Sequence, residues 1–229
     1  MMNTIIYTPT PNLKESLAFF QKLDFTVISD ENATLVADGN LLMEINPDRF
    51  VRAGVKLYRD SWKEIAEELQ NFTKVHQTET GYFLADPSNV RIYLIEGNSP
   101  FSVELPASKS ALGNYMGLSL ETTDIEESVV IWEKLGFKKS MGSMEQGWVA
   151  HTNDDGVTVS FMGPNTCPHL FFNPSLTYFN GGKNLPVIEK IREAGIPIAE
   201  EITFFNKEGI VDNVIIREPG GYGFFIFND

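Results

Sequence analysis

Cysteine is almost absent from this 229-residue sequence, which contains only Cys167. A single cysteine cannot form a disulfide within the chain, and this composition is typical of a reducing compartment. The N-terminal segment has no basic stretch followed by a long apolar run, and no segment approaches the roughly 18 consecutive apolar residues of a membrane span. These absences predict a cytoplasmic protein without a membrane segment.

Positive charge is also scarce, because 18 lysine and arginine residues stand against 31 aspartate and glutamate residues, for a net charge of −13. Such a surface repels phosphate backbones and anionic lipids, which argues against nucleic-acid and membrane partners. It leaves a small-molecule partner open, since a pocket of different character can lie on an acidic protein. With 42% hydrophobic residues the chain can bury a substantial core, and we expect a monomer or a homodimer.

Histidine occurs only as His76, His151 and His169. The three lie in different parts of the chain and show none of the close spacings that are typical of metal sites. Cys167 and His169 are two residues apart, which seldom orients a thiol and its base productively. We therefore expect His76 and His169 to be surface or loop residues, and the segment around Cys167 to be a loop.

An internal duplication is the strongest pattern in the sequence. Residues 12–25 (NLKESLAFFQKLDF) and 124–137 (DIEESVVIWEKLGF) align with an offset of 112 residues (124 − 12). Each copy begins with an N-cap residue, Asn12 or Asp124, and carries glutamate three residues later, which is the pattern of a capping box. Apolar residues then recur at helical spacing, so each copy predicts a helix with one buried face.

Strand-like runs surround each helix in the order strand, helix, strand, strand, strand, and weaker copies of this pattern occupy residues 53–95 and 175–227. A turn of similar character, Asp86–Asn89 or Glu218–Gly221, precedes the last run of each weaker copy. The pattern therefore predicts four units of one kind. The predicted organisation is a first domain at residues 1–98, a linker at residues 99–111 and a second domain at residues 112–229.

The segment TPNLKESLAFFQKLDF resembles the opening of vicinal-oxygen-chelate domains, and TDIEESVVIWEKLGF repeats it. ADPSNVRIYLIE is similar to the closing strand of that superfamily, and REPGGYGFFIF is a degenerate version. The superfamily includes glyoxalases, bleomycin-resistance proteins and extradiol dioxygenases. The resemblance implies an α+β fold in which four βαβββ units pair into two eight-stranded, incompletely closed, cup-shaped sheets with the helices outside.

The resemblance also implies positions for metal ligands, because many members hold a divalent ion inside the cup through histidine and glutamate side chains. In this sequence those positions fall at Ile5, Gly54, Gly117, a residue near Leu176, Tyr93 and Phe225. Glycine and aliphatic or phenyl side chains cannot bind an ion, and a lone tyrosine is a poor ligand for magnesium or zinc. No cofactor is therefore expected and a divalent metal is disfavoured, with Glu44 as the candidate ligand of a displaced site.

The concave faces of the predicted cups supply further candidates. Along one strand of the second cup, Gly117 and Ser119 alternate with apolar residues and lead to Glu121, a candidate general base or ligand anchor. His151, on another strand, joins Glu121 as a candidate catalytic residue, and Lys56 in the first cup is a candidate anchor for an anionic group. The candidate ligand-binding residues are Gly117, Ser119, Glu121, His151, Tyr178, Phe225, Lys56 and Tyr93.

Aromatic residues concentrate between Phe171 and Phe227, and strand alternation cannot direct them all into one core. We therefore expect a mostly apolar cavity in the second cup, with Phe225 in its wall. Three functions stay open. The first is a metal-free protein that binds a small organic molecule, in the manner of the bleomycin-resistance branch. The others are a lyase, isomerase or dioxygenase-type enzyme with a displaced metal site, and a structural or regulatory paralogue without a ligand.

Overall fold

A computed structural model of the chain describes residues 3–29, 33–100 and 109–228. Its first half contains two units with the order strand, helix, strand, strand, strand. The first unit comprises β1 (Thr4–Pro9), α1 (Leu13–Lys22), β2 (Thr26–Ser29), β3 (Thr34–Ala37) and β4 (Leu42–Asn46). The second comprises β5 (Gly54–Arg59), α2 (Lys63–Leu69), β6 (His76–Thr78), β7 (Gly81–Ala85) and β8 (Arg91–Glu96).

The second half repeats this order. The third unit comprises β9 (Tyr115–Glu121), α3 (Ile125–Lys134), β10 (Lys138–Ser143), a short 3₁₀ turn (Met144–Gln146), β11 (Trp148–Thr152) and β12 (Thr158–Met162). The fourth comprises β13 (Ser175–Phe179), α4 (Asn184–Glu193), β14 (Ile198–Ile202), β15 (Asn213–Arg217) and β16 (Gly223–Phe227).

The strands form two eight-stranded sheets, in the orders β2-β3-β4-β1-β5-β8-β7-β6 and β10-β11-β12-β9-β13-β16-β15-β14. The second order equals the first with eight added to every strand number. At the centre of each sheet, the first strands of two units pair antiparallel, and each of them pairs in parallel with the last strand of its own unit. The sheets are mixed and not closed, which confirms the predicted α+β fold class.

The duplicated helices begin where the capping pattern predicts. The side chains of Asn12 and Asp124 accept hydrogen bonds from the backbone N–H groups three residues later, at 3.3 and 2.9 Å. The serines shared by the two copies are buried, and each bonds to a threonine hydroxyl before its helix: Ser16 to Thr10 at 2.6 Å and Ser128 to Thr122 at 2.8 Å. The two helices are therefore anchored to their sheets in the same way.

The helix-facing sides of the two sheets form one continuous core. The Phe224 ring of β16 lies against Phe19 and Phe20 of α1, with centroids 5.9 and 6.3 Å apart. The Trp132 indole Nε1 of α3 donates to the Asp86 carboxylate at 2.9 Å, which adds a buried polar contact between the halves. The concave face of each sheet lies on the side away from this core.

The predicted domain limits stay a prediction. The described part of the first sheet ends at Glu96 and the second begins at Tyr115, whereas residues 101–108 of the predicted linker lie outside the described residues. Among the residues that the structure describes, no helix is both long and apolar enough to cross a membrane.

Three carboxylates lie buried beside this shared core: Asp38, Asp86 and Glu218. Burial raises the pKa of each, and hydrogen bonds to the carboxylate oppose the rise only in part. For Glu218 the donors are the Thr8 hydroxyl and the backbone N–H groups of Gly220 and Tyr222. Each group therefore favours the folded state more when it is protonated.

Replacing Glu218 with glutamine is expected to remove a pH dependence of stability. A carboxyl with a raised folded-state pKa contributes stability below its ordinary pKa of about 4.3 and loses it as the pH rises through the folded value. The wild type should therefore lose stability relative to Glu218→Gln as the pH rises, because the amide cannot ionise. Urea unfolding between pH 4 and 8 measures this, with the exposed Glu67→Gln as the control. Parallel curves for wild type and Glu218→Gln would contradict the prediction.

Candidate functional site

The concave face of the second sheet encloses a cavity of about 370 Å³. Its wall is mostly apolar, and hydroxyl groups from three strands supply the polar part. The apolar part of the wall includes Met116, Met141, Trp148, Met162, Phe179, Phe225 and Phe227. Met116, Met141 and Trp148 are each more than a third exposed, so they form the rim through which a molecule would enter.

Strand alternation places these side chains. On β9, Gly117 lies in the wall and pairs across the sheet with Thr177 of β13, which in turn pairs with Phe225 of β16. The intervening residues on these strands, such as Leu176 and Phe224, belong to the core on the helix side. Gly117 and Phe225, two of the metal-ligand positions that the resemblance implies, therefore lie in the wall of the cavity.

Gly117 allows two strands of the cavity wall to lie close together in a way that other residues cannot. Its φ is +152°, a backbone conformation that side chains disfavour, and a Cβ atom there would lie 2.6 Å from the carbonyl oxygen of Thr158. The backbone of β9 thus approaches β12 closely at this point, and only glycine fits there without a clash.

The polar part of the wall consists of hydroxyls that bond to one another. Ser119 Oγ lies 3.1 Å from Ser160 Oγ and 2.7 Å from Thr177 Oγ1. Thr158 Oγ1 bonds separately to Thr152 Oγ1 at 2.9 Å. No lysine, arginine, histidine or carboxylate side chain lines the cavity among the described residues.

Cys167 contributes its thiol to the same wall, from the loop between β12 and β13 that the sequence predicts. Burial, together with the negative charges of Glu121 and Glu200, raises the pKa of this thiol. The thiol interacts with the backbone of His169, whereas the His169 ring bonds through Nδ1 to the Glu200 carboxylate at 3.2 Å. A neutral thiol is a poor nucleophile, so this pair does not form a catalytic dyad.

Three of the predicted site residues, Gly117, Ser119 and Phe225, lie together in the cavity wall. Their role in ligand binding stays a prediction. Glu121 lies at the end of β9 on the same strand face as Ser119, but it is not part of the wall. It pairs with Met162 of β12, which does line the cavity, and this places the carboxylate beside the cavity and not within it.

The prediction that His151 faces the cavity is wrong. The side chain lies on the helix side of β11, only 1% exposed, with Nε2 3.3 Å from a carboxylate oxygen of Glu133. Its neighbours Trp148 and Ala150 take the cavity side. Val149 belongs to the core on the helix side, and strand alternation puts His151 on the same face as Val149. Glu121 and His151 therefore cannot act as a catalytic pair.

The prediction for Tyr178 is also wrong. This side chain is fully buried in the shared core, and its hydroxyl donates to Asp38 Oδ2 of the first half at 3.0 Å. The pairing of β13 with β9 shifts register between Thr177 and Tyr178. Thr177 and Phe179 take the cavity side, whereas Tyr178 joins the two halves.

The first concave face differs because side chains fill its centre. Lys56 Nζ lies 2.6 Å from Glu44 Oε2 and 4.0 Å from the centre of the Tyr7 ring. The Tyr93 ring packs edge-on against Tyr7, with centroids 5.1 Å apart, and also contacts Phe83. The lysine charge is therefore already paired and the tyrosine ring is packed, while the predicted roles of Lys56 as an anion anchor and of Tyr93 as a binding residue stay predictions.

The residues present do not fit the metal-ligand set that the resemblance implies. Strand register aligns Gly117, Thr177 and Phe225 across the second sheet, so Thr177, and not Leu176, holds the fourth-unit position. In the first sheet, register aligns Ile5, Lys56 and Tyr93, so Lys56, and not Gly54, holds the second-unit position. The candidate ligand Glu44 is instead the partner of Lys56. Within the described ranges, no group of three His, Cys, Asp or Glu side chains is arranged to hold an ion.

No family model matches the sequence, and no curated protein matches it significantly. Solved structures do share its fold. A catechol 2,3-dioxygenase aligns with 98% of this chain and 86% of its own, at 13% identity and a TM-score of 0.57. The homoprotocatechuate 2,3-dioxygenase of Arthrobacter globiformis aligns with 98% of this chain and 78% of its own, at 14% identity and a TM-score of 0.59. The 2,3-dioxygenase LapB of Pseudomonas sp. KL28 aligns over 98% and 91%, at 14% identity and a TM-score of 0.57.

At these identities the likeness shows the fold alone. Together with the strand orders, it supports the vicinal-oxygen-chelate fold in the two-sheet arrangement of the dioxygenases. The chain therefore shares the fold of these solved structures.

Proposed function

We propose that the protein binds a small, mostly apolar organic molecule in the cavity of the second concave face. The cavity itself carries this proposal: an apolar wall with a few converging polar groups is the usual composition of a small-molecule site. Its location supports the proposal further, because Gly117, Thr177 and Phe225, which hold metal-ligand positions that the resemblance implies, all lie in its wall. This function resembles that of the bleomycin-resistance branch, and we place it in the cytoplasm, in keeping with the single cysteine.

The two alternatives have less support. An enzyme that uses Glu121 and His151 together is not supported, because the two side chains lie on opposite sides of the second sheet and cannot act on one substrate. A structural or regulatory paralogue without a ligand would be expected to fill the second concave face as Tyr7, Lys56 and Tyr93 fill the first. The names of the structural neighbours concern those proteins, and we do not extend their reactions to this chain.

Filling the cavity should abolish binding. Ala150 is buried in the middle of β11 with its side chain in the cavity wall, so Ala150→Phe places a ring in the space that a ligand would occupy without removing a hydrogen bond. We expect native mass spectrometry of freshly purified wild-type protein to show a bound organic molecule. The same measurement on Ala150→Phe should show protein without it.

Ala199→Phe is the matched control, because Ala199 lies on β14 and is exposed. This variant should retain the molecule that the wild type carries. Equal retention by Ala150→Phe would show that the site lies elsewhere. A wild type that carries no organic molecule, and takes up none when small apolar compounds are added, would overturn the proposed function.

A further inference from the structure

The direction of the hydrogen bonds in the cavity wall defines what a ligand must supply. A hydroxyl has one hydrogen to donate and two lone pairs to accept with. A backbone carbonyl can only accept, so any hydroxyl bonded to a carbonyl must spend its hydrogen there. Two hydroxyl chains in the cavity wall end on such carbonyls.

The first chain crosses three strands. Ser160 donates to the carbonyl oxygen of Leu118 at 3.3 Å, so it can only accept from Ser119. Ser119 therefore donates its hydrogen to Ser160 and must accept a hydrogen bond from Thr177. The bonds run one way, from Thr177 through Ser119 and Ser160 to the backbone, and each hydrogen is used.

The second chain has the same form. Ser140 donates to the carbonyl oxygen of Ala150 at 3.2 Å, and Thr152 donates to Ser140 at 2.9 Å. Thr152 must therefore accept from Thr158. Thr158, like Thr177, begins its chain in the cavity wall and keeps both of its lone pairs. The hydroxyls of the wall thus offer acceptors and have no hydrogen left to donate.

The electrostatics of the wall point the same way. No lysine, arginine or histidine side chain lines the cavity in the described part of the chain. The charges of Glu121 and Glu200 act on Cys167 at one side of it, so the local potential is negative. Both features disfavour an anion, whereas the apolar remainder of the wall makes the burial of an unpaired charge of either sign costly.

We propose that the ligand is a neutral molecule with an apolar body and one hydrogen-bond donor, an O–H or N–H group, directed at Thr177 or Thr158. This inference rests on the proposed function and specifies its ligand class. A molecule without a donor leaves the acceptors of both threonines unpaired in an apolar cavity, which costs binding free energy.

Three related probes test the donor requirement by isothermal titration calorimetry: indole, 1-methylindole and indole-2-carboxylate. Indole should bind at least about tenfold more tightly than 1-methylindole, which lacks the N–H, because tenfold corresponds to the roughly 1.4 kcal/mol of one hydrogen bond. Indole-2-carboxylate should bind more weakly than either. Tighter binding of the carboxylate than of indole would overturn the inference.

Variants separate hydrogen bonding from the bulk of the extra methyl group. In Thr177→Val/Thr158→Val both acceptors are replaced by groups of similar shape, so the preference for indole should fall to nearly one. A steric preference would survive this change, and its survival would overturn the inference. Thr26→Val, an exposed position on β2 of the first sheet, should keep the wild-type preference.

The outcomes also separate this inference from the proposed function. Equal binding of indole and 1-methylindole to the wild type overturns the donor requirement and leaves the apolar site in place. If none of the three probes binds, a bound organic molecule without an O–H or N–H group, identified by native mass spectrometry, also overturns the donor requirement. If native mass spectrometry finds no organic molecule, the proposed function fails as well.

Discussion

Replacing Trp132 with alanine is expected to destabilise the protein by about 4–5 kcal/mol, the upper part of the range for deleting a buried tryptophan. The side chain is fully buried in the shared core, against Phe137 and Phe161. It also provides the Nε1–H that bonds to Asp86. The substitution therefore leaves a large cavity and removes a donor from a buried carboxylate. Chemical denaturation of wild type and variant measures the difference.

Two further variants test the two parts of this cost, the lost hydrogen bond to Asp86 and the lost packing of a buried ring. Trp132→Phe keeps most of the ring and loses the N–H, so it should cost about 1–3 kcal/mol. Trp148→Ala makes the same change as Trp132→Ala at a residue that is 40% exposed on the cavity rim, and it should cost about 1 kcal/mol or less. Equal losses for Trp132→Ala and Trp148→Ala would contradict the packing of α3 against the first half.

Gly117→Ala is expected to cost about 3 kcal/mol of stability, although it adds a single methyl group. The positive φ is strained for any residue with a Cβ. In addition, the new atom would lie 2.6 Å from the Thr158 carbonyl oxygen, and the backbone of β12 cannot yield without losing its pairing with β9. Thermal or urea unfolding of the variant provides the measurement.

Gly163→Ala is the control for this glycine. A Cβ at Gly163 would meet only side-chain atoms, the Thr166 hydroxyl at 3.3 Å and Ile125 Cδ1 at 3.9 Å, so its cost should stay within about 0.5 kcal/mol. If Gly117→Ala were as stable as Gly163→Ala, the close approach of β9 and β12 would be incorrect, and the shape of the cavity floor with it.

The sequence was sufficient to predict the repeat, because the signals that carry it are local. The capping pattern at Asn12 and Asp124 and the helical spacing after it depend on residues within a few positions of each other, and the structure confirms both. The pairing of the units into two eight-stranded sheets came from the resemblance and not from the strands themselves, since pairing between distant segments leaves little trace in one sequence.

The side-chain directions on two strands could not be predicted in the same way. Alternation gives two faces without saying which one is buried, so it does not show that His151 and Tyr178 belong to the buried face. On β11, Val149 belongs to the core, so His151, two residues later, lies on the same buried face. On β13, Tyr178 shares the core face with Leu176, and the register shift after Thr177 changes only the pairing with β9.

Contacts between residues that are distant in the sequence explain the remaining differences between the predicted and the observed site. Lys56 looked available as an anion anchor because its partner Glu44 lies 12 residues away on another strand. The hydroxyl chains that define the cavity wall join residues up to 58 positions apart, such as Ser119 and Thr177. Serine and threonine on strands have no pattern that identifies these partners before the register is known.

The most direct test of the proposed site uses methionine methyl groups as reporters. Met116, Met141 and Met162 line the cavity, whereas Met43 is buried in the core on the helix side of the first sheet. In protein labelled with methyl-¹³C methionine and titrated with indole, we predict that the resonances of the three cavity methionines shift and saturate together while that of Met43 stays in place. A shift of Met43 without the cavity methionines would contradict a small-molecule site in the second concave face. So would the absence of any methionine shift up to the solubility limit of indole in a protein that also carries no organic molecule when freshly purified.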